Sequence, residues 1–140
     1  MRLEKQFDVD CSRDETVERV VQDATLLELF PDARTEIVSS EGDRRTVRSR
    51  YRALGREGTA TFHFDFLLDG GVRFEKVCDG RVWSRLVGRV SFEERGVRTR
   101  VRIELDGQTR PLVPEFTIKG AMRDQLDQMA RALRQRIESA

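Results

Sequence analysis

The sequence predicts an α+β domain in which a seven-stranded antiparallel sheet is covered on one face by a long C-terminal helix. The strands come as one strand, two short helices and then a six-strand meander. Three observations carry this reading. Apolar residues alternate with period two near the N-terminal end and again from Ala33 to Gly107. A helix-capping signature separates these two stretches. After Pro114 the apolar period returns to about 3.6.

Taken in order, Leu3, Phe7 and Val9 share one face of the first strand and Glu4, Gln6 and Asp8 the other, with Lys5 as the exception. Ser12-Arg13-Asp14-Glu15 has the form of a capping box, and Val17, Val20, Val21 and Ala24 continue it as an apolar stripe of two turns. Asp23 or Thr25 then caps a second short helix through Leu26, Leu27, Leu29 and Phe30, which Pro31 ends. Turn signals follow at Glu41-Gly42-Asp43, Leu54-Gly55-Arg56, Asp69-Gly70-Gly71, Asp79-Gly80 and Arg95-Gly96, so the strands between them form hairpins. Val47, Ser49, Tyr51 and Ala53 oppose Arg48, Arg50 and Arg52; Val97, Thr99, Val101, Ile103 and Leu105 oppose Arg98, Arg100, Arg102 and Glu104. Such alternation means one wet face and one covered face. Phe62, Phe64, Phe66 and Leu68 form the richest apolar row. The C-terminal stripe comprises Phe116, Ile118, Met122, Leu126, Met129, Ala130, Leu133 and Ile137, enough helix to cross the whole sheet.

Composition narrows the chemistry. The 140 residues suffice for one domain with a two-layer core. Twenty-six basic side chains against 25 acidic ones leave a net charge of +1, too little to gather nucleic acid by bulk charge, and no DNA partner is expected. One histidine and two separated cysteines cannot supply a His/Cys zinc cluster; carboxylate metal sites stay open, and neither a metal nor a cofactor is assigned. Cys11 and Cys78 read as small hydrophobes of a reducing compartment, with a single bridge between them left open. No leader-like or membrane-spanning run appears, so a cytoplasmic protein without stable membrane insertion is expected. No glycine-rich phosphate loop is present. His63 and Asp65 share the outer face as strand neighbours without a nucleophile to complete a relay. The arginines, spread along the chain among acids, read as surface ion pairs.

The order of elements over the whole chain resembles the START-like, or SRPBCC, superfamily with its helix-grip fold, particularly its polyketide-cyclase/dehydrase-like and coenzyme-Q-binding-protein-like branches. Ser12 to Phe30-Pro31 resembles the family's paired helices, Gly88-Arg89-Val90-Ser91-Phe92 with Thr99-Arg100-Val101 its last hairpin, and Pro114 leading into the helix through Leu126 to Glu138 its C-terminal element. The resemblance implies a curved seven-stranded sheet wrapped around the long C-terminal helix, with an internal cavity for a lipid, quinone, sterol or polyketide. The residues expected to line it are Tyr51, Phe62, Phe64, Phe66, Ser84, Leu86, Val101 and Ile103 of the sheet, and Phe116, Met122, Leu126 and Met129 of the helix. Ser49, Ala53, Ala60 and Gly88 leave room between the large side chains.

Two registers are open in the middle of the sheet. If Asp69-Gly70 and Asp79-Gly80 are both two-residue loops, Arg73 and Glu75 point inward as polar anchors. Val72, Phe74, Trp83 and Val87 then form an outer apolar patch suited to a homodimer. A bulge at Gly70-Gly71 instead turns Val72, Phe74 and Cys78 inward, leaves Arg73 and Glu75 in water, and brings Lys76 to the cavity. The functional expectation is a binder of a hydrophobic small molecule. Its alternatives are a cyclase/dehydratase-type enzyme with Glu75 or Tyr51 as the titratable group, and an interaction module acting through the arginine-striped face.

Overall fold

The computed structural model describes residues 1–53 and 56–139; the first two residues of the turn expected at Leu54-Gly55-Arg56 lie outside them. The chain runs β1 (Arg2–Val9), α1 (Arg13–Val20), α2 (Asp23–Glu28), β2 (Arg34–Glu41), β3 (Arg44–Ala53), β4 (Arg56–Phe66), β5 (Val72–Lys76), β6 (Trp83–Arg95), β7 (Arg98–Thr109), a 3₁₀ turn (Glu115–Thr117) and α3 (Lys119–Glu138). All seven strands form one antiparallel sheet in the order β1-β7-β6-β5-β4-β3-β2. The meander therefore pairs each strand with its chain neighbour, and β1 closes onto β7 at one edge. This is the α+β helix-grip arrangement expected of the sequence.

Local chemistry sets the helices. Ser12 Oγ accepts the Glu15 amide at 3.2 Å, satisfying one of the free N–H groups at the start of α1. Gln22 rather than Asp23 or Thr25 precedes α2, and the Thr25 hydroxyl instead donates to the Arg19 carbonyl at 2.6 Å. On α3, Met122, Leu126, Met129, Ala130, Leu133 and Ile137 are buried, a stripe at helical spacing that meets the apolar face of the sheet. Lys5, the exception in β1, reaches this helix and pairs with Asp127 at 3.1 Å. Arg19 donates to the Ile137 carbonyl, tying α1 to the end of α3.

The central register follows the bulged alternative. Phe66 pairs with Val72, Phe64 with Phe74 and Phe62 with Lys76, so Val72 and Phe74 are buried and Arg73 and Glu75 face out. The cause is the turn: Leu67 N–H donates to the Gly71 carbonyl and Asp69 Oδ1 accepts the Gly71 amide, with Gly70 at φ +88°. That loop is longer than the two-residue hairpin and shifts the strand by one. Asp79-Gly80 likewise does not close a tight hairpin, since β5 stops at Lys76 and pairs Glu75 with Val87 rather than with Ser84. A register shift between Trp83 and Arg85 then turns Trp83 inward and Ser84 outward, where its hydroxyl donates to the Gln108 carbonyl at 2.9 Å.

These registers correct three expectations. Arg73 and Glu75 are not cavity anchors: they bond each other at 3.3 Å on the outer face, beside the Arg44–Asp65 pair. The outer apolar patch does not form, because Val72, Phe74 and Trp83 are in the core and only Val87 remains outside. Phe116 is 82% exposed, because the helix begins at Lys119 and Phe116 belongs to the preceding 3₁₀ turn, out of phase with the buried stripe. Outer-face arginines pair across strands as expected, Arg98 with Asp10, Arg100 with Asp8 and Arg102 with Glu4. The Arg100 hydrogen bond, with the neighbouring arginines, holds the Asp8 carboxyl below its usual range.

Candidate functional site

Under the N-terminal end of α3 the interior is not filled. A cavity of about 380 Å³ opens there, walled by β3, β4, the end of β5, the start of β6, the α2–β2 connection and the first turns of α3. This lies within the range of small-molecule sites. Its buried lining is almost wholly apolar: Phe30, Ala60, Phe62, Trp83, Leu86 and Met122, with Ser49 as the polar member. The Ser49 hydroxyl is satisfied by Thr35 at 2.9 Å, and no buried side-chain N or O among the described residues lacks a partner. The mouth is polar, formed by Asp32, Tyr51, Arg52, Gln125 and Gln128 with half-buried Lys76.

Aromatic rings shape the void by covering glycines. Tyr51 lies over its cross-strand partner Gly58, where an added Cβ would stand 2.5 Å from the ring. Trp83 lies over Gly107 in the same way, at 2.5 Å. Each ring takes the space that a side chain on the facing strand would occupy, so both remain at the cavity wall. Beyond Phe62, the Phe30, Phe62, Phe64 and Phe74 rings pack with centroids 5.5 to 6.5 Å apart and close the inner end.

Of the residues expected to line the cavity, Tyr51, Phe62, Leu86 and Met122 do so, and Lys76 of the anchor candidates joins them. Phe64 and Met129 border only a residual void of about 10 Å³, at the threshold for holding even one water. Val101 and Ile103 of β7 and Leu126 of α3 are packed core. Phe66 sits outside the cavity with the Arg45 guanidinium 5.6 Å from its ring, and Ser84 and Phe116 face solvent. With Glu75 on the outer face, it cannot act as a base in this cavity, and Tyr51 is the titratable group of the earlier pair that remains at the mouth. His63 accepts or donates a 2.9 Å bond with Thr46, its outer-face strand partner.

Sequence reasoning missed Trp83, Phe30, Asp32, Val82, Ile118, Gln125 and Gln128. Gln125 and Gln128 stand three and six positions after Met122, a helical spacing that could have found them. Trp83 could not be placed without the bulge. The segment 77–82, which reaches the cavity at Val82, is held to the segment after β7 by the Arg110 amide on the Val82 carbonyl (2.9 Å) and by the Arg110 side chain on the Gly80 carbonyl. Within that loop the Arg81 amide donates to Asp79 at 3.0 Å, holding the Asp79 carboxyl below its usual range with lesser help from Lys76. Among the described residues no helix is long and apolar enough to cross a membrane, and no group of three His, Cys, Asp or Glu could hold a metal ion. Both cysteines are free.

The sequence matches no protein-family model and no curated protein. The fold matches many solved structures. An aromatase/cyclase, Zhui, from Streptomyces sp. R1128 superimposes with a TM-score of 0.77 at 14% identity, over 98% of this chain and 90% of that one. A START superfamily protein from Mycobacterium smegmatis gives 0.76 at 18%, over 97% and 96% of the two chains. A STAR-related lipid transfer protein from Xanthomonas axonopodis gives 0.69 at 18%, over 97% and 85%.

Proposed function

With a START-like helix-grip fold as the premise, we propose that this chain binds a hydrophobic small molecule in the cavity under the N-terminal end of α3. The observation that carries the reading is the contrast between lining and mouth. Phe30, Phe62, Trp83, Leu86 and Met122 are buried around empty space, while the polar side chains other than Ser49, whose hydroxyl is taken by Thr35, stand at the opening. Burying a ligand's apolar surface there yields roughly 25 cal/mol per Å² before the costs of association. The structural neighbours carry both lipid-transfer and aromatase/cyclase names, and holding an apolar molecule in the cavity is the step those two activities share.

The test is a titration with the apolar fluorophore 1-anilinonaphthalene-8-sulfonate, joined to solvent extraction and mass spectrometry of the purified protein. Saturable binding with one site per chain is expected, and Met122→Trp, which fills the cavity from α3, should abolish it while the protein stays folded. Binding unaffected by Met122→Trp would place the fluorophore elsewhere and overturn the reading.

A further inference from the structure

We infer that the ligand is an amphiphile with a single anionic head, taken by Lys76 at the mouth, and with a tail whose length is limited by Phe62. This rests on the cavity being the binding site. Lys76 is the last residue of β5 and pairs directly with Phe62 across the sheet, so both side chains project to the inner face. Among the described residues it is the one basic residue on the inner rows of the central strands that lines the cavity. It is half-buried, and among the described residues no carboxylate lies within 4.0 Å of its ammonium and no hydrogen bond engages it.

The neighbouring acids are committed elsewhere. Asp79 is tied to the amide and guanidinium of Arg81, and Asp32, across the mouth, accepts from Gln128 at 3.2 Å. Glu75, next in sequence, faces out to Arg73. Asp79 acts on Lys76 only from beyond ion-pair distance, so a ligand anion touching the half-buried ammonium adds a charge-assisted contact that the described residues do not supply. Arg52 at the same rim adds charge of the same sign. A cationic head would meet Lys76 and Arg52, with Asp32 the one acid among the described residues of the lining.

The apolar end is equally defined. Phe62 stacks on Phe30 with centroids 5.6 Å apart and backs onto Phe74 and Phe64, so a tail entering past Lys76 meets a wall of rings. The volume of about 380 Å³ is at the low end for ligand sites, which fits one modest chain rather than a two-chain lipid.

The experiment measures affinities of decanoate, 1-decanol and decyltrimethylammonium by displacement of the fluorophore, below their aggregation concentrations, in the wild type and in Lys76→Met and Lys76→Glu. Decanoate should bind roughly tenfold tighter than decanol, about 1.4 kcal/mol. Lys76→Met should equalise the two, Lys76→Glu should favour the ammonium, and Phe62→Ala should shift the preferred carboxylate towards longer chains. Equal binding of all three head groups by the wild type overturns the anionic-head inference and leaves the cavity reading standing. Binding of none of them, with Met122→Trp no different from wild type towards the fluorophore, removes both. Circular dichroism and thermal midpoints of the Lys76 variants, expected to match the wild type, separate a lost head-group contact from lost folding.

Discussion

Phe74 on β5 stands directly opposite Gly88 on β6 and covers it so closely that a Cβ on Gly88 would lie 2.0 Å from the ring. The ring fills the space a side chain would take, and its other side packs on Phe64 at 5.5 Å. Gly88→Ala therefore forces the ring out of its place. An overpacking cost of about 1–3 kcal/mol is expected in urea denaturation. Combined with Phe74→Leu the loss should be smaller than the sum of the two single losses, since both changes act on one contact.

Phe64 and Phe116 make a contrasting pair. Phe64 is 1% exposed among Phe62, Phe74 and Leu26, and Phe64→Ala should cost about 3–5 kcal/mol. Phe116 is mostly in water, so Phe116→Ala should stay within about 0.5 kcal/mol of wild type and leave ligand affinity unchanged. A large loss of stability at Phe116 would place its ring against the core after all.

Asp65 carries a pH dependence. Its carboxyl accepts from Arg44 Nε at 2.7 Å, which, with the Arg73 charge nearby, holds its pKa below the usual 3.8. A group depressed on folding contributes stability that is fully present above its unfolded pKa of about 3.9 and is lost as pH falls through the lower folded value. Acid unfolding of the wild type should therefore steepen below about pH 4, and Asp65→Asn should flatten that part of the profile. Arg44→Ala should raise the Asp65 pKa towards its usual value in a two-dimensional NMR titration.

The Asp32–Gln128 bond of 3.2 Å joins the α2–β2 connection to α3 beside the cavity mouth, and both residues also border the neighbouring groove between α2 and α3. Removing it with Gln128→Ala should loosen that side of the mouth. Stopped-flow release of the fluorophore is expected to accelerate by about two- to tenfold, the worth of one hydrogen bond, with little change in thermal midpoint.

Trp83 is the only tryptophan, buried at the cavity wall against Gly107. Its emission should be that of a shielded indole and should change on saturation with decanoate, while Met122→Trp, which adds a second indole and fills the site, should show no ligand-dependent change. An emission insensitive to an independently measured bound ligand would put that ligand away from β6.

Much of this molecule is written in its periodicity. Alternation in Val47 to Ala53 and Val97 to Leu105, and the helical spacing of Met122, Leu126, Met129, Leu133 and Ile137, assign the apolar faces because each repeat matches the geometry of one element. From these the seven strands, three helices and the covered face of the sheet follow. What periodicity leaves open is where one strand slides against another, because a slip of one residue exchanges the faces of the whole strand.

That choice belongs to the tertiary structure. The carboxylate of Asp69 on the Gly71 amide lengthens one turn, and the packing of Phe74 on Gly88 and of Trp83 on Gly107 accompanies the registers of β5 and β6. Together they send Arg73 and Glu75 to solvent and bring Trp83 and Lys76 to the cavity. The sequence by itself determined the elements and their apolar faces, since these depend on neighbours along the chain. The site was decided only on folding, because it depends on contacts between segments far apart in sequence, and those contacts selected one of two registers that the local pattern allowed equally.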